Sequence, residues 1–198
     1  MNDPFALIIA SVVSVVGTLV SIWFKNKLEY KKENCLESRS KTGSNVYQAL
    51  KYIHSVTDCD RAYVFEFHNG EHFFSGKGQQ KFSCTYEFVK NGVSSEAGNS
   101  QNHRVSNFNT YMDDLISHGI FECKDVSLLE DPAFKSVLRG KGVESIVNVP
   151  IKTLNGSIIG ILGIEYLDAV EDFKCDPANS DCFTFLKRQA RLIGGYIA

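Results

Sequence analysis

Apolar positions run along this chain in three different rhythms, and each rhythm predicts a different kind of element. The first is continuous. Phe5–Phe24 is twenty residues without a charge, enough for a helix of roughly 30 Å, the hydrocarbon thickness of a bilayer. The second has the three-four spacing of an amphipathic helix. Val46, Ala49, Leu50, Ile53 and Val56 predict a helix over 44–57 with Ser44 as its cap, and Phe183, Leu186, Ala190, Ile193 and Ile197 predict one from about Ser180 to the end. The third is the alternation of strands. Arg61–His68 reads as a strand turned by Asn69-Gly70, and Lys81–Lys90 as a second ending at Asn91-Gly92. Phe73–Gln80 is a loop between them.

From Gly92 to Arg104 the chain is polar and aperiodic, which predicts a mobile loop. Val105–His118 reads as one or two short helices, and Phe121–Leu129 contains an extended strand. Asp131-Pro132 opens a short helix, with proline at a first-turn position where its missing N–H costs nothing. Then come a strand ending in Val149-Pro150, an Asn155-Gly156 turn and a long apolar strand reaching Leu167. These last two strands must pair, so they form the centre of a sheet. The order satisfies an α+β fold. It is an antiparallel sheet with the first and last helices packed together on one face and the central loops on the other.

The flanks of Phe5–Phe24 give that segment a direction. No basic residue precedes it, which argues for a retained span rather than a cleaved signal peptide, and Trp23 suits the headgroup region. Lys25, Lys27, Lys31, Lys32, Arg39 and Lys41 follow it, so the positive-inside rule places the C-terminal domain in the cytoplasm. Three parts result: a transmembrane helix at 5–24, a charged juxtamembrane linker at 25–43 and a domain at 44–198. The linker starts as helix and loosens before Gly43. Its lysines alternate with Glu29, Glu33 and Glu37, which makes it a solvated stalk rather than a lipid-binding basic patch. Ala10, Ser14, Gly17 and Ser21 share one helix face and point to homo-oligomerisation through the span.

Alternation also sorts the strand side chains. Val64, Glu66 and His68 share one face, opposite Tyr63, Phe65 and Phe67. Ser83, Thr85 and Glu87 oppose Phe82, Cys84, Tyr86 and Phe88. Asn148 alternates with Val147 and Val149, and Glu165 follows Ile161 and Gly163. If the greasier faces meet the terminal helices, Glu66, His68, Asn69, Thr85, Glu87, Asn148 and Glu165 gather near the loop-covered side. A few polar groups in an apolar cavity suit a small-molecule ligand. The same groups also suit pairing with the backbone of the covering loops, and the sequence leaves both readings open.

The segment from Asp125 to Gly163 resembles a GAF domain. It carries an Asp-Pro-Ala-Phe helix, Gly140-Lys-Gly-Val-Glu-Ser, Val149-Pro150, Asn155-Gly156 and then Ile159-Gly160-Ile-Leu-Gly163. The resemblance covers about residues 44–198 and implies a GAF/PAS-like sheet and a regulatory sensing module that binds a ligand or a partner. It names no cofactor. The Asn-Lys…Phe…Asp-Glu pattern of cyclic-nucleotide GAF domains is absent, and no Cys-His dipeptide is present to attach a bilin. Cys84 and Cys123 lie mid-domain, as do the cysteines of GAF-type methionine-sulfoxide reductases. The architecture of one span and one small domain, with Gln189-Ala-Arg-Leu-Ile-Gly194 near the end, is similar to the T-even-type phage holin. In that holin the soluble domain regulates oligomerisation of the span. Its domain lies outside the cytoplasm, against the direction given by the lysines here.

Composition narrows the chemistry. The chain is 198 residues long, 43% hydrophobic and 22% charged, with a net charge of −2, which gives no footprint for nucleic acid. Its 6 cysteines form no C-x-x-C pair, and a domain of this size needs no disulfide staples, so reduced thiols are expected. His68 and His72 beside Glu66 and Glu71 lack a third spaced metal ligand. Gly76-Lys77-Gly78 lacks the rest of a phosphate loop, and no serine sits in a Gly-x-Ser-x-Gly elbow. The sequence therefore predicts a non-catalytic binding module.

Overall fold

A computed structural model describes the backbone of residues 4–33, 35–73, 75–173 and 181–198; the side chains of 4–12, 28–33 and 35 lie outside the described ones. The chain divides into two compact units, Met1–Thr42 and Gly43–Ala198.

In the first unit, α1 runs from Pro4 to Glu33. Every described side chain in it, from Val13 to Lys27, is exposed. Two hydroxyls fold back onto the helix: Thr18 Oγ1 donates to the Ser14 carbonyl and Ser21 Oγ to that of Gly17, each at 2.9 Å. Among the described residues no helix is long and apolar enough to cross a membrane. The expected span Phe5–Phe24 begins in residues 5–12, whose side chains are outside the described ones. The expected loosening before Gly43 does not occur. Helix α2 is continuous from Cys35 to Thr57, so Ser44 lies inside it rather than capping it. Leu36, Glu37, Arg39 and Lys41 are good helix formers, and one glycine costs a helix only about 1 kcal/mol.

In the second unit a sheet of 6 strands is ordered β3-β2-β1-β6-β5-β4, with every neighbour antiparallel. The strands are β1 (Arg61–His72), β2 (Gly78–Val89), β3 (His103–Arg104), β4 (Phe121–Cys123), β5 (Ser145–Lys152) and β6 (Ile158–Tyr166). The helices are α3 (Asn109–His118), α4 (Pro132–Gly140) and α5 (Cys182–Ile197). Asp131 caps α4, accepting from Phe134 N at 2.9 Å, with Pro132 in the first turn as the sequence predicts. Asp181 caps α5, accepting from the backbone N–H groups of Phe183 and Thr184; Ser180 lies outside the described residues.

Two cores lie on the two faces of the sheet. Val46, Leu50 and Ile53 of α2 and Phe185, Leu186 and Ile193 of α5 cover one face, meeting Val64, Val149, Leu162 and Ile164. Helices α3 and α4 and the loop segments cover the other, where Phe108, Tyr111, Leu115, Phe134 and Leu138 meet Tyr63, Phe65, Phe82, Ile146 and Ile161. The predicted architecture is therefore present. Gly194 lets α5 approach closely, since a Cβ there would stand 2.8 Å from the carbonyl oxygen of Lys152.

Two local expectations are corrected. Asn69-Gly70 does not turn the chain, because both residues continue β1, and the reversal comes at Phe73–Lys77. Gly70 is needed for proximity, since a Cβ would meet the carbonyl oxygen of Gln79 at 2.9 Å. The face assignment on β1 and on half of β2 is reversed. Tyr63 and Phe65 face the loops, while Ala62 and Val64 face the helices. On β2 the register moves from Val64↔Tyr86 to Phe65↔Cys84, leaving Thr85 as an extra residue. That bulge swaps the faces midway. Phe82 and Cys84 look to the loops, and Tyr86 and Phe88 pack on the helix side. Both faces of the sheet are buried, so hydrophobicity alone does not tell them apart.

Candidate functional site

The loop-covered face encloses a partly open cavity. Its volume is about 30 Å³, room for about two waters. Its wall is largely aromatic, with Tyr63 and Phe65 from β1, Phe82 from β2, Phe108 and Tyr111 from the α3 region and Phe134 from α4. Ser100, His103, Lys141, Asn148 and Glu165 add the polar positions.

The strand centre builds the floor. Gly163 on β6 sits between Tyr63 on β1 and Asn148 on β5 in register. Having no side chain, it lets the Tyr63 hydroxyl donate across it to Asn148 Oδ1 at 2.8 Å. Asn148 Nδ2 then donates to the Tyr111 hydroxyl at 2.7 Å, tying α3 to the sheet. Burial pushes the pKa of both tyrosines above the ordinary value of 10, so both remain protonated donors.

An ion cluster closes one end. Glu165 is 1% exposed and accepts from Arg61 Nη1 at 3.3 Å and from Lys141 Nζ at 2.7 Å. Arg61 is equally buried. It also donates through Nε to the carbonyl of Ser94 at 2.9 Å and through Nη2 to that of Lys141 at 3.2 Å. One guanidinium thus pins the 91–102 loop and the end of α4 to the sheet. Lys141 Nζ lies 5.6 Å from the centre of the Tyr63 ring. His103 is held below its ordinary pKa, first by burial and then by the Lys141 charge, so it is neutral at pH 7.

Of the residues singled out in the sequence, Asn148 and Glu165 line this cavity. Glu87 shares the face of Tyr63 but serves the covering loop. Its carboxylate accepts from Ser95 Oγ at 2.5 Å and from the N–H groups of Glu96 and Ala97. Glu66 and His68 take the Val64 side of β1, away from the cavity. His68 Nε2 lies 2.9 Å from Ser83 Oγ, which also accepts from the Asn102 N–H. Asn69 accepts from Gln80 at an exposed edge, and Thr85 donates to the Val64 carbonyl at the bulge. Thr85 and Glu87 thus pair with backbone, while His68 and Asn69 pair with side chains of β2. Arg61, Tyr63, Ser100, His103, Tyr111 and Lys141 are additions to the site. Only Arg61 carried a signal, as a cation directly before the apolar run Ala62–Phe65.

The thiol chemistry is set by burial. Cys84 donates to the Tyr86 carbonyl and its pKa is pushed up to about 12, chiefly by burial. Cys123 lies on β4 at the far edge. Three strands separate it from β2, so the two strands lie roughly 19 Å apart along the sheet, and both thiols are free. Among the described residues no group of three His, Cys, Asp or Glu side chains is placed to hold a metal.

Comparison with known proteins agrees with this geometry. No curated protein matches the chain. Among solved structures, the blue-light-absorbing form of the Thermosynechococcus elongatus PixJ GAF domain superposes with a TM-score of 0.59 at 16% identity, covering 81% of this chain and 89% of that one. GAF3 of Slr1393 from Synechocystis sp. PCC6803, in its photoproduct state, gives 0.57 at 14% identity, with coverage of 77% and 90%. The GAF domain region of a Geobacter sulfurreducens PCA protein gives 0.57 at 15% identity, with coverage of 82% and 96%. At such identities the likeness shows the fold alone. The holin-type resemblance finds no support in these comparisons. The family model for the GAF domain matches residues 45–197, most of the chain, and the chain belongs to that family.

Proposed function

We propose that this chain is a non-catalytic sensing module whose GAF domain holds a small molecule in the loop-side cavity. The observation that carries this reading is the set of buried polar groups Tyr63, Tyr111, Asn148 and Glu165, with the partly buried Lys141, around a space inside an aromatic wall. An empty apolar gap would be a packing defect, whereas one with oriented donors suits recognition. A tetrapyrrole does not fit room for about two waters, and no Cys-His dipeptide is available to attach one.

The same residues reach α2. The backbone carbonyl of Glu165 accepts from Asp60 N at 2.9 Å. Leu167 N donates to Asp60 Oδ2 at 2.8 Å, and the Tyr166 hydroxyl donates to the Thr57 carbonyl at 3.1 Å. A ligand that moves Glu165 therefore acts on the residues that end α2. The signal is a population shift between two packings of α2 and α5 on the sheet.

Membrane attachment is part of the proposal and rests on the uncharged run Phe5–Phe24 with lysines following it. The exposed apolar side chains of Val13–Phe24 need a cover, and lipid supplies one. The domain then faces the cytoplasm, and the span self-associates along Ser14, Gly17 and Ser21, where the two hydroxyl back-bonds leave a small-residue surface. A reporter fused after Ala198 that is active only on the cytoplasmic side supports this placement, and one active only after export refutes it.

Thermal shift of the full chain against a panel of small acids, amides and nucleosides tests the cavity. A ligand should raise the melting temperature and slow amide exchange near Tyr111 and Asn148. The effect should vanish in Val137→Phe, which fills the cavity from α4. A shift that persists in Val137→Phe places the ligand elsewhere and overturns the reading.

A further inference from the structure

The cavity's electrostatics specify the class of ligand, an inference that rests on its role as a binding site. Three ionic groups meet at one end: Arg61 and Glu165, both buried, and Lys141, which is partly buried. They carry two positive charges and one negative. Arg61 is committed on all sides, to Ser94, to the Lys141 carbonyl and to Glu165. Lys141 spends one N–H on Glu165, lies against the Tyr63 ring, and is one of the residues that line the cavity. The two ammonium protons not given to Glu165 can take an anionic or hydrogen-bonding partner. The nearest further carboxylate on this face, Glu87, is satisfied by Ser95, Glu96 and Ala97.

The other polar groups agree in sign. Asn148 Oδ1 is taken by Tyr63, which leaves the second Nδ2 hydrogen of Asn148 as a donor. The Tyr111 hydroxyl accepts from Asn148, and its own proton is left to donate. Ser100 adds a hydroxyl in the wall, and His103 adds a neutral ring with one N–H. The site offers several donors, and its own acceptors are chiefly the Glu165 carboxylate, already held by two cations, and one ring nitrogen of His103. Beyond them lie Phe65, Phe82, Phe108 and Phe134, which offer only apolar contact.

We propose that the cavity takes a short-chain carboxylate, with its carboxylate on Lys141 and the Tyr111–Asn148 donors and its alkyl end among the phenylalanine rings. A carboxylate group is about the size of the two waters the cavity admits, so only a short alkyl end can follow it, reaching past the rings toward the cavity's open side. Its negative charge balances the cluster, and Lys141 passes from one carboxylate to two. Larger acids are disfavoured by the aromatic wall, and cations are repelled by the Arg61–Lys141 pair.

Isothermal titration of the full chain with sodium propionate, with propionamide and with sodium chloride at matched ionic strength tests this. Propionate should bind and the neutral isostere should not. Lys141→Met should weaken propionate by about tenfold or more, the value of a charge-assisted hydrogen bond, and Lys141→Arg should retain most of it. Glu165→Gln should tighten propionate severalfold, because it removes the competing carboxylate; a merely structural cluster would lose binding in both directions. If Glu165→Gln does not fold, the Lys141→Met and Lys141→Arg pair decides. Equal binding of propionate and propionamide, abolished by Val137→Phe, overturns the anionic class and leaves the cavity reading standing. Absence of propionate binding overturns the carboxylate, whatever else the cavity is found to hold.

Discussion

Tyr63 and Asn148 come from strands that are not neighbours, yet their side chains meet at 2.8 Å. The strand between them, β6, presents Gly163 at that register, paired with Tyr63 on one side and with Asn148 on the other. Any Cβ at Gly163 would overlap both Asn148 Oδ1 and the Tyr63 ring. Gly163→Ala is therefore expected to break the bond rather than merely crowd it. Overpacking costs about 1–3 kcal/mol, and a buried amide left without its partner costs about 1–3 more. Urea unfolding should show the loss, with Tyr63→Phe losing only the hydrogen-bond part. A Gly163→Ala variant as stable as the parent would contradict the close packing.

The link from sheet to helix makes a second expectation. The Tyr166 hydroxyl reaches the Thr57 carbonyl in the last turn of α2, where Asp58 adopts a positive φ of 51°. Tyr166→Phe keeps the ring and removes the tie. Global stability should fall by about 1 kcal/mol, and amide exchange should speed up at the end of α2 more than in β6. Uniform change across the domain would argue against a local coupling point.

How much of this was legible before the structure depends on which force marks each residue. The terminal helices were readable because Val46, Leu50 and Ile53, and Leu186, Ala190 and Ile193, mark a single buried stripe each. Asn148 and Glu165 were readable because a polar residue in an apolar run stands out. Glu66 and His68 misled because β1 is covered on both faces, so parity gives two faces without saying which meets the helices. The bulge at Thr85 then reversed the parity of β2 between Cys84 and Tyr86. Lys141 caps the end of α4 and His103 opens the two-residue strand β3, too short to show a period, and only the folding of α4 and of the 91–102 loop over the sheet brings them to Glu165 and Phe108.

That loop supplies a third expectation. Glu87 accepts from the N–H groups of Glu96 and Ala97 and from the Ser95 hydroxyl, so a single carboxylate holds the loop's first turn. Glu87→Gln keeps the shape but can no longer accept with both oxygens. Exchange should quicken over residues 94–100, and a protease should cut there first, with global stability down by about 1 kcal/mol. Unchanged exchange in that segment would mean that Arg61, through the Ser94 carbonyl, is sufficient to hold it.

Burial also governs the thiols. Cys59 and Cys84 both have pKa values pushed up to about 12, by burial above all, so neither forms thiolate near neutrality. Both should resist maleimide at pH 7 in the folded chain and react once urea unfolds it, as peptide mass spectrometry would show. Cys123 is half-buried and should react ahead of them. Rapid folded-state labelling of Cys84 would show that the core under the covering loops opens to bulk solvent.

His103 supplies the pH dependence. Its ring packs against Phe82 and Phe108, with centroids at 5.4 Å and 5.7 Å. Burial first and the Lys141 charge second lower its pKa from the ordinary 6.5. The unfolded chain therefore binds this proton more tightly than the folded one does. The neutral ring's contribution to stability is fully present above about pH 6.5 and is lost as pH falls from there to the folded-state pKa. NMR titration should place the His103 midpoint below 6.5 in the parent chain. Lys141→Met removes the smaller cause, so the midpoint should rise but stay below the ordinary value. A parent midpoint at or above 6.5 would remove His103 from the cavity wall as described. A midpoint unmoved in Lys141→Met would place the ammonium too far away to act on a bound anion as well.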